Sequence, residues 1–375
     1  MLFRFAVFAL AVGLGWSAQA EAEDGVRLNQ IQVIGSHNSY HVAPHPNVLG
    51  LVDQGGRGRS GALDYTHRPF AEQFSRLGIR QIELDVFADP KGGHYAKPAA
   101  RAILQGKGLE PGGDPCSDER LPQPGLKVFH VQDVDYLTRA TTFADALGQV
   151  LDWSTAHPRH VPIMILVETK EAAIAALPTR PMPFTKAELD GVDAEILKVF
   201  GRGRVITPDD LRGDSETLPE AIRSRGWPLL EASRGKVLFG LDDEGSMRDT
   251  YLEGHPSLRG RLMFVSVPPD HPAAAWMKMN EPVEDFDRIQ KLVRDGFLVR
   301  TRADADTVQA RKNDPSMREK ALSSGAQFVS TDYPEPDLRF STYQVRFPES
   351  VVARSNPVNG PKVEGDLEAL PKSSR

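Results

Sequence analysis

Cysteine is nearly absent: Cys116 is the only one in 375 residues. A lone thiol closes no internal disulfide and builds no thiolate zinc site, so core packing must hold the fold together. Cys116 lies in a Gly/Pro-rich loop, where an incidental thiol is the simplest reading. Excess positive charge is also missing. Lys and Arg number 45 against 51 Asp and Glu, a formal charge of −6, which leaves no broad basic field and argues against nucleic acid as a partner. Long apolar runs are confined to the N terminus, where 5-FAVFALAVGLGW-16 follows Arg4 and precedes Ser17-Ala18-Gln19-Ala20. That run is short for a bilayer span, which needs roughly 20 residues. With small residues at Ala18 and Ala20 it predicts a signal peptide over 1–20, cut before Glu21, and a periplasmic or secreted protein.

Hydrophobic residues at 40% and aromatics at 7% can fill a sizeable core, enough for one large α/β barrel or two modest domains. Short β-branched, apolar runs recur between turn residues: 31-IQVIGS-36, 81-QIELDVF-87, 126-LKVFHV-131, 161-VPIMILVET-169, 236-KVLFGLD-242, 261-RLMFVSV-267, 297-FLVRTR-302 and 327-QFVSTD-332. Helical spacing appears between most of them, over 143–157, 186–200, 284–296 and 315–325. Alternating strands and helices predict a parallel sheet, and eight strands close a (β/α)8 TIM-type barrel, here over 21–345. The alternative, an open doubly wound sheet, would normally carry a Gly-rich nucleotide loop after its first strand; GSHNSY stands there instead. The stretches 49–68 and 88–125 are polar and rich in Gly and Pro, so they read as long loops on the active face of a barrel with some irregularity. The string 203-GRVITPDDL-211 could be a displaced strand, which leaves the fifth strand open. Residues 346–375 read as a wrapping or poorly ordered extension.

Functional groups of such a barrel gather at the C-terminal ends of its strands, and alternate residues of a strand share a face. The first strand ends in His37 and Asn38. Glu83 and Asp85 share one face of the second, opposite Ile82, Leu84 and Val86. His130 falls near the end of the third, and Glu168 and Lys170 finish the inward row of the fourth. Carboxylates pointing into a barrel are costly unless something positive neutralises them. Three carboxylates with an amide oxygen are hard ligands suited to Ca2+ or Mg2+, which leaves the two imidazoles for acid–base work. Taken singly, each of these is weak: a Glu-x-Asp pair is more often a solvated face, and a terminal Lys a surface charge. His41, His45, His67 and His94 read as exposed loop residues. Asp133 and Asp135 could orient His130 or cap a helix, and Asp332 is a candidate by position alone.

Together these strings resemble a known family. GSHNSY, IELDVF, FHVQDVDY and PIMILVETK are similar to the X-region of calcium-dependent, phosphoinositide-specific phospholipase C, above all its bacterial, secreted, single-domain branch. The strings 205-VITPDDLRG-213, 235-GKVLFGLDD-243, 299-VRTRADADT-307 and 325-GAQFVSTDYP-334 fit as well, so the resemblance runs from Ile31 to Pro334. It implies a Ca2+ ion held by Asn38, Glu83, Asp85 and Glu168, with His37 and His130 catalytic and Glu83 or Glu168 as base. Lys170, Arg300 and Arg302 would meet phosphate or inositol oxygens. It also implies attack of the inositol 2-hydroxyl on phosphorus, helped by a charged His37, and release of diacylglycerol. The partners implied are a phospholipid or inositol phosphodiester and a transient membrane surface, with no obligate protein partner. Two rivals stand beside this reading. One is a glycerophosphodiester phosphodiesterase, whose first catalytic His is typically followed by Arg rather than Asn38. The other is an exported lipid-binding barrel without turnover.

Overall fold

The computed structural model describes residues 25–56, 58–113 and 119–369; the expected signal peptide, Cys116 and the last six residues lie outside them. The strands, in chain order, are β1 (Ile31–Ser36), β2 (Gln81–Phe87), β3 (Lys127–Val128), β4 (Ile163–Thr169), β5 (Val205–Ile206), β6 (Val237–Leu241), β7 (Met263–Ser266), β8 (Ala274–Lys278), β9 (Leu298–Arg302), β10 (Phe328–Thr331) and β11 (Ala353–Ser355). Eight of them form a closed parallel ring in the order β1-β2-β4-β6-β7-β8-β9-β10, with β10 returning to β1. This is the expected (β/α)8-type barrel. Its outer layer includes the helices Phe143–Ala156, Lys186–Phe200, Phe286–Arg294 and Ser316–Ser324. Local chemistry sets their ends. Thr142 accepts from the Asp145 amide, Thr185 and Glu188 form a capping box, and Gly325 at φ 85° stops the last helix.

Two expectations about the ring need correction, and they offset each other. The run 126–131 is not a barrel strand. Only Lys127–Val128 is extended, and it pairs antiparallel with the end of β2, because the chain then turns back, with the His130 and Val131 amides both donating to the Asp135 carbonyl. The missing member is β8. Its sequence, Ala274-Ala275-Trp276-Met277-Lys278, carries helix formers rather than β-branched residues, and the link 267–273 to β7 contains no helix. β5 is the short displaced strand, paired with β6 alone.

The β1–β2 seam is the narrow point, where Gly35 and Gln81 are the one pair in register. A Cβ at Gly35 would lie 1.9 Å from Gln81 Oε1, so a side chain there would force the strands apart. Below that point β11 pairs antiparallel with Ile31–Val33, opposite β10, and fills the flank of β1 that β2 leaves uncovered. The C-terminal segment therefore wraps the barrel. Leu367 is fully buried, and Glu368 pairs with the buried Arg80, Nε to Oε2 being 2.6 Å.

Candidate active site

The polar residues after β1 are stitched into its closing turn. Ser36 and Ser39 share a hydrogen bond of 2.7 Å, Ser36 donates to Gln73, and the Ser39 hydroxyl accepts from the Glu83 amide. Asn38 sits at φ 44°, a left-handed conformation that Asn tolerates better than most residues. Its amide is buried, and Oδ1 has no hydrogen-bond partner. His37 Nδ1–H donates to Asp332 Oδ1 at 2.7 Å, and its Nε2 lies 3.6 Å from Glu83 Oε1. Burial, reinforced by the Arg302 guanidinium, pushes this ring down to about 3, so the charged His37 expected from sequence is disfavoured. Asp332, picked out by position alone, is the residue that fixes the ring.

Glu83 and Asp85 face the barrel interior as the alternation requires. Glu83 Oε2 accepts from Arg300 Nη2 at 2.7 Å, and Arg300 Nη1 donates to Asn280 at 2.6 Å. Arg300 therefore points inward and is almost fully buried. Arg302 lies 3.4 Å from Asp332 Oδ2. Lys170 Nζ bridges Asp85 Oδ2 and Glu168 Oε2, both at 2.9 Å. Glu83, Glu168 and Asp242 each bring an oxygen within 4.8 Å of the other two. Asp242, at the end of β6, is not among the residues expected from the sequence. Its signal was available in the Asp pair of LFGLDD, directly after an apolar strand. Lys278, on the unrecognised β8, reaches Asp242 Oδ2 at 3.3 Å.

Burial pushes Glu83, Asp85 and Asp242 above the usual carboxylate range, with Arg300 and Lys170 pulling the other way. Burial acts on Glu168 too but is outweighed by Lys170, and that carboxyl ends below its ordinary value. Buried Oδ1 atoms of Asn38, Asp85 and Asp242 have no hydrogen-bond partner. Orphaned hard oxygens beside clustered carboxylates fit a divalent cation of the Ca2+ type. Of the residues that the resemblance implies would hold it, Glu83 and Glu168 are grouped with Asp242, whereas Asp85 lies outside that group and meets Glu168 through Lys170.

His130 reaches the site from the turn beyond β3. Its ring lines an open cleft of about 410 Å3 together with Glu168 and Lys170. Asp135 and Asp133 divide the two roles considered for them. Asp135 Oδ2 accepts from His130 Nδ1 at 2.8 Å, while Asp133 Oδ1 accepts from the Ala99 amide at the start of helix Ala99–Gly106. Asp135 also accepts from His41 Nε2 at 2.9 Å, and His41 Nδ1 meets the Tyr65 carbonyl at 3.0 Å. His41 and His67 are thus buried, not exposed as expected. Their loop folds over the barrel mouth, where His67 Nε2 bonds the His37 carbonyl. His45 caps helix Pro46–Gln54 by accepting from the Asn47 amide, and His94 is exposed.

Solved structures of a calcium-dependent phosphoinositol-specific phospholipase C from the Gram-negative bacterium Pseudomonas sp. share this barrel. The myoinositol complex matches with a TM-score of 0.52 at 17% identity, over 88% of this chain and 96% of its own. A second form matches with a TM-score of 0.50 at 18% identity, over 89% and 97%. At such identity the likeness speaks for the fold. A Ca2+-dependent phosphatidylinositol-specific phospholipase C from Streptomyces antibioticus also matches, at 20% identity and a TM-score of 0.46, over 82% and 95%. No curated protein matches the sequence. The family model for Ca2+-dependent phosphoinositide phospholipase C matches residues 26–357. That match spans the whole barrel and every site residue described above, and the chain belongs to the family of Ca2+-dependent phosphoinositide phospholipases C.

Proposed function

We propose that the protein cleaves phosphatidylinositol-type lipids by attack of the inositol 2-hydroxyl on the adjacent phosphorus, giving diacylglycerol and a cyclic inositol phosphate. The observation that carries this reading is the convergence of His37, His130 and the Glu83–Glu168–Asp242 oxygens on one rim of the barrel. When bound there, Ca2+ supplies Lewis acidity toward the hydroxyl and the phosphoryl oxygens. Glu83, whose carboxyl Arg300 fixes, takes the 2-hydroxyl proton. The bond from the 2-oxygen to phosphorus forms as the bond to the glycerol oxygen breaks. His130, protonated at Nε2 and steadied through Nδ1 by Asp135, hands its proton to the departing glycerol oxygen. His37, Lys170 and Arg302 face the phosphoryl and inositol oxygens.

The same rim supports contact with a lipid surface. Among the described residues seven large apolar side chains are exposed, and four of them (Ile174, Val283, Val308 and Leu338) lie within about seven residues of the C-terminal end of a barrel strand. Leu338 is 78% exposed, next to Arg339. No helix among the described residues is long and apolar enough to cross a membrane, so adsorption by this rim after export through the 1–20 leader completes the reading. A head-group panel run with Ca2+ and with chelator, identifying the phosphorus product, tests it. Cyclic inositol phosphate formed only with Ca2+ is expected. Release of glycerol 3-phosphate from glycerophosphodiesters, or Ca2+ binding with no turnover, would overturn it.

A further inference from the structure

A second cavity of about 430 Å3 opens beside the catalytic cleft, and its walls have the opposite character. Leu51 comes from helix Pro46–Gln54, Ala100 and Ile103 from helix Ala99–Gly106, and Leu177 from the segment after β4. Two charged residues line it, and neither opposes an apolar guest. Asp133 is committed, accepting from the amides of Ala99 and Thr179 and from the Thr179 hydroxyl at 2.8–3.0 Å. Arg59 is exposed to solvent. The cavity and the cleft share Val131 and Ile174 as a common wall, and Val131 directly follows His130. Ile103 and Ile174 stand 47% and 42% exposed on the cavity wall, so a groove lined by aliphatic side chains begins where the proposed general acid ends.

We infer that this groove receives the first methylenes of one acyl chain of the leaving diacylglycerol, an inference that rests on the phosphodiesterase reading above. The departing glycerol oxygen must lie against His130, so whatever that oxygen carries continues past His130, away from the polar side of the cleft where Glu168 and Lys170 sit. The groove adjoins the cleft at Val131, the residue after His130, and at Ile174. Acyl chains are the part of the substrate class that apolar walls of this size can hold. Discrimination by chain length follows, because each methylene moved from water into such a groove is worth up to about fourfold in kcat/KM.

Short-chain phosphatidylinositols kept as monomers, with four, six and eight carbons per chain, test this apart from membrane adsorption, with glycerophosphoinositol as the acyl-free reference. In the wild type kcat/KM is expected to climb severalfold per step. Ile103→Glu, at an exposed position, and Leu51→Trp, which fills the groove, should flatten that climb, so the readout is the eight-carbon to acyl-free ratio. Titration with 1,2-dioctanoylglycerol gives a measure independent of turnover. Saturable binding that Ile103→Glu abolishes is expected. A flat wild-type series with glycerophosphoinositol still cleaved would overturn the groove and leave the phosphodiesterase reading standing. Absence of any phosphodiesterase activity would sink that reading; the titration then decides the groove, and no binding, or equal binding by Ile103→Glu, overturns it.

Discussion

Asp242→Asn should move cation affinity and metal-free stability in opposite directions. The substitution keeps the side chain's shape and removes one charge from a group whose oxygens lie within 4.8 Å of one another. Two unit charges at that separation interact by about 3.5 kcal/mol at an effective dielectric of 20. In the metal-free protein the interaction is repulsive. Burial already pushes Asp242 toward its protonated form, and Lys278 loses its carboxylate partner in the variant, so the net gain in stability shrinks to about 1 kcal/mol, or about 2 °C in Tm for a domain of this size. Toward a divalent cation the same carboxylate is attractive and the charge product doubles. Even a loss of about 2.8 kcal/mol raises Kd for Ca2+ about 100-fold. Calorimetric titration with Ca2+ and thermal melts in chelator read the two effects separately. Unchanged Ca2+ affinity, or a variant that melts lower than wild type in chelator, would refute the idea that Glu83, Glu168 and Asp242 form one cation-binding group.

Three further predictions test other parts of the molecule. His130→Ala should lower turnover of phosphatidylinositol more than about 100-fold but hurt far less when the leaving group needs no proton; equal losses on both substrates would remove the general-acid role. His160 is held neutral, with Nδ1–H donating to the Val161 carbonyl and Nε2 accepting from Ser154, and burial pushes it from 6.5 to about 4. Between those pH values the unfolded chain binds a proton here that the folded chain does not, so stability drops as pH falls through the window, by on the order of 3 kcal/mol. Urea midpoints of wild type should decline from pH 7 to 4 more steeply than those of His160→Gln, and parallel declines would contradict the assignment. Glu368→Gln leaves Arg80 buried without its carboxylate and should cost about 3 kcal/mol by urea unfolding, an effect absent if the tail were loosely attached.

The sequence by itself determined most of the barrel and much of its rim. Strands such as 81-QIELDVF-87 and 161-VPIMILVET-169 are written in local composition and in a period of two, which places Glu83, Asp85, Glu168 and Lys170 toward the strand ends without any tertiary information. The helices at 143–156 and 186–200 were equally legible, because apolar spacing and Thr caps act within a few residues. Only the tertiary structure could decide which groups meet. Arg300 reaches Glu83 across 217 positions of sequence, Asp332 fixes His37 across 295, and Asp242 joins two carboxylates of other strands. The strand carrying Lys278 is stabilised by its β7 and β9 neighbours rather than by its own propensity. His41 and His67 look like loop residues because their burial comes from other segments folding over them, and Asn38 and Asp85 become orphaned oxygens only when the barrel closes. Local patterns fix which face a residue takes; the closure of the ring sets its distance, charge environment and partner.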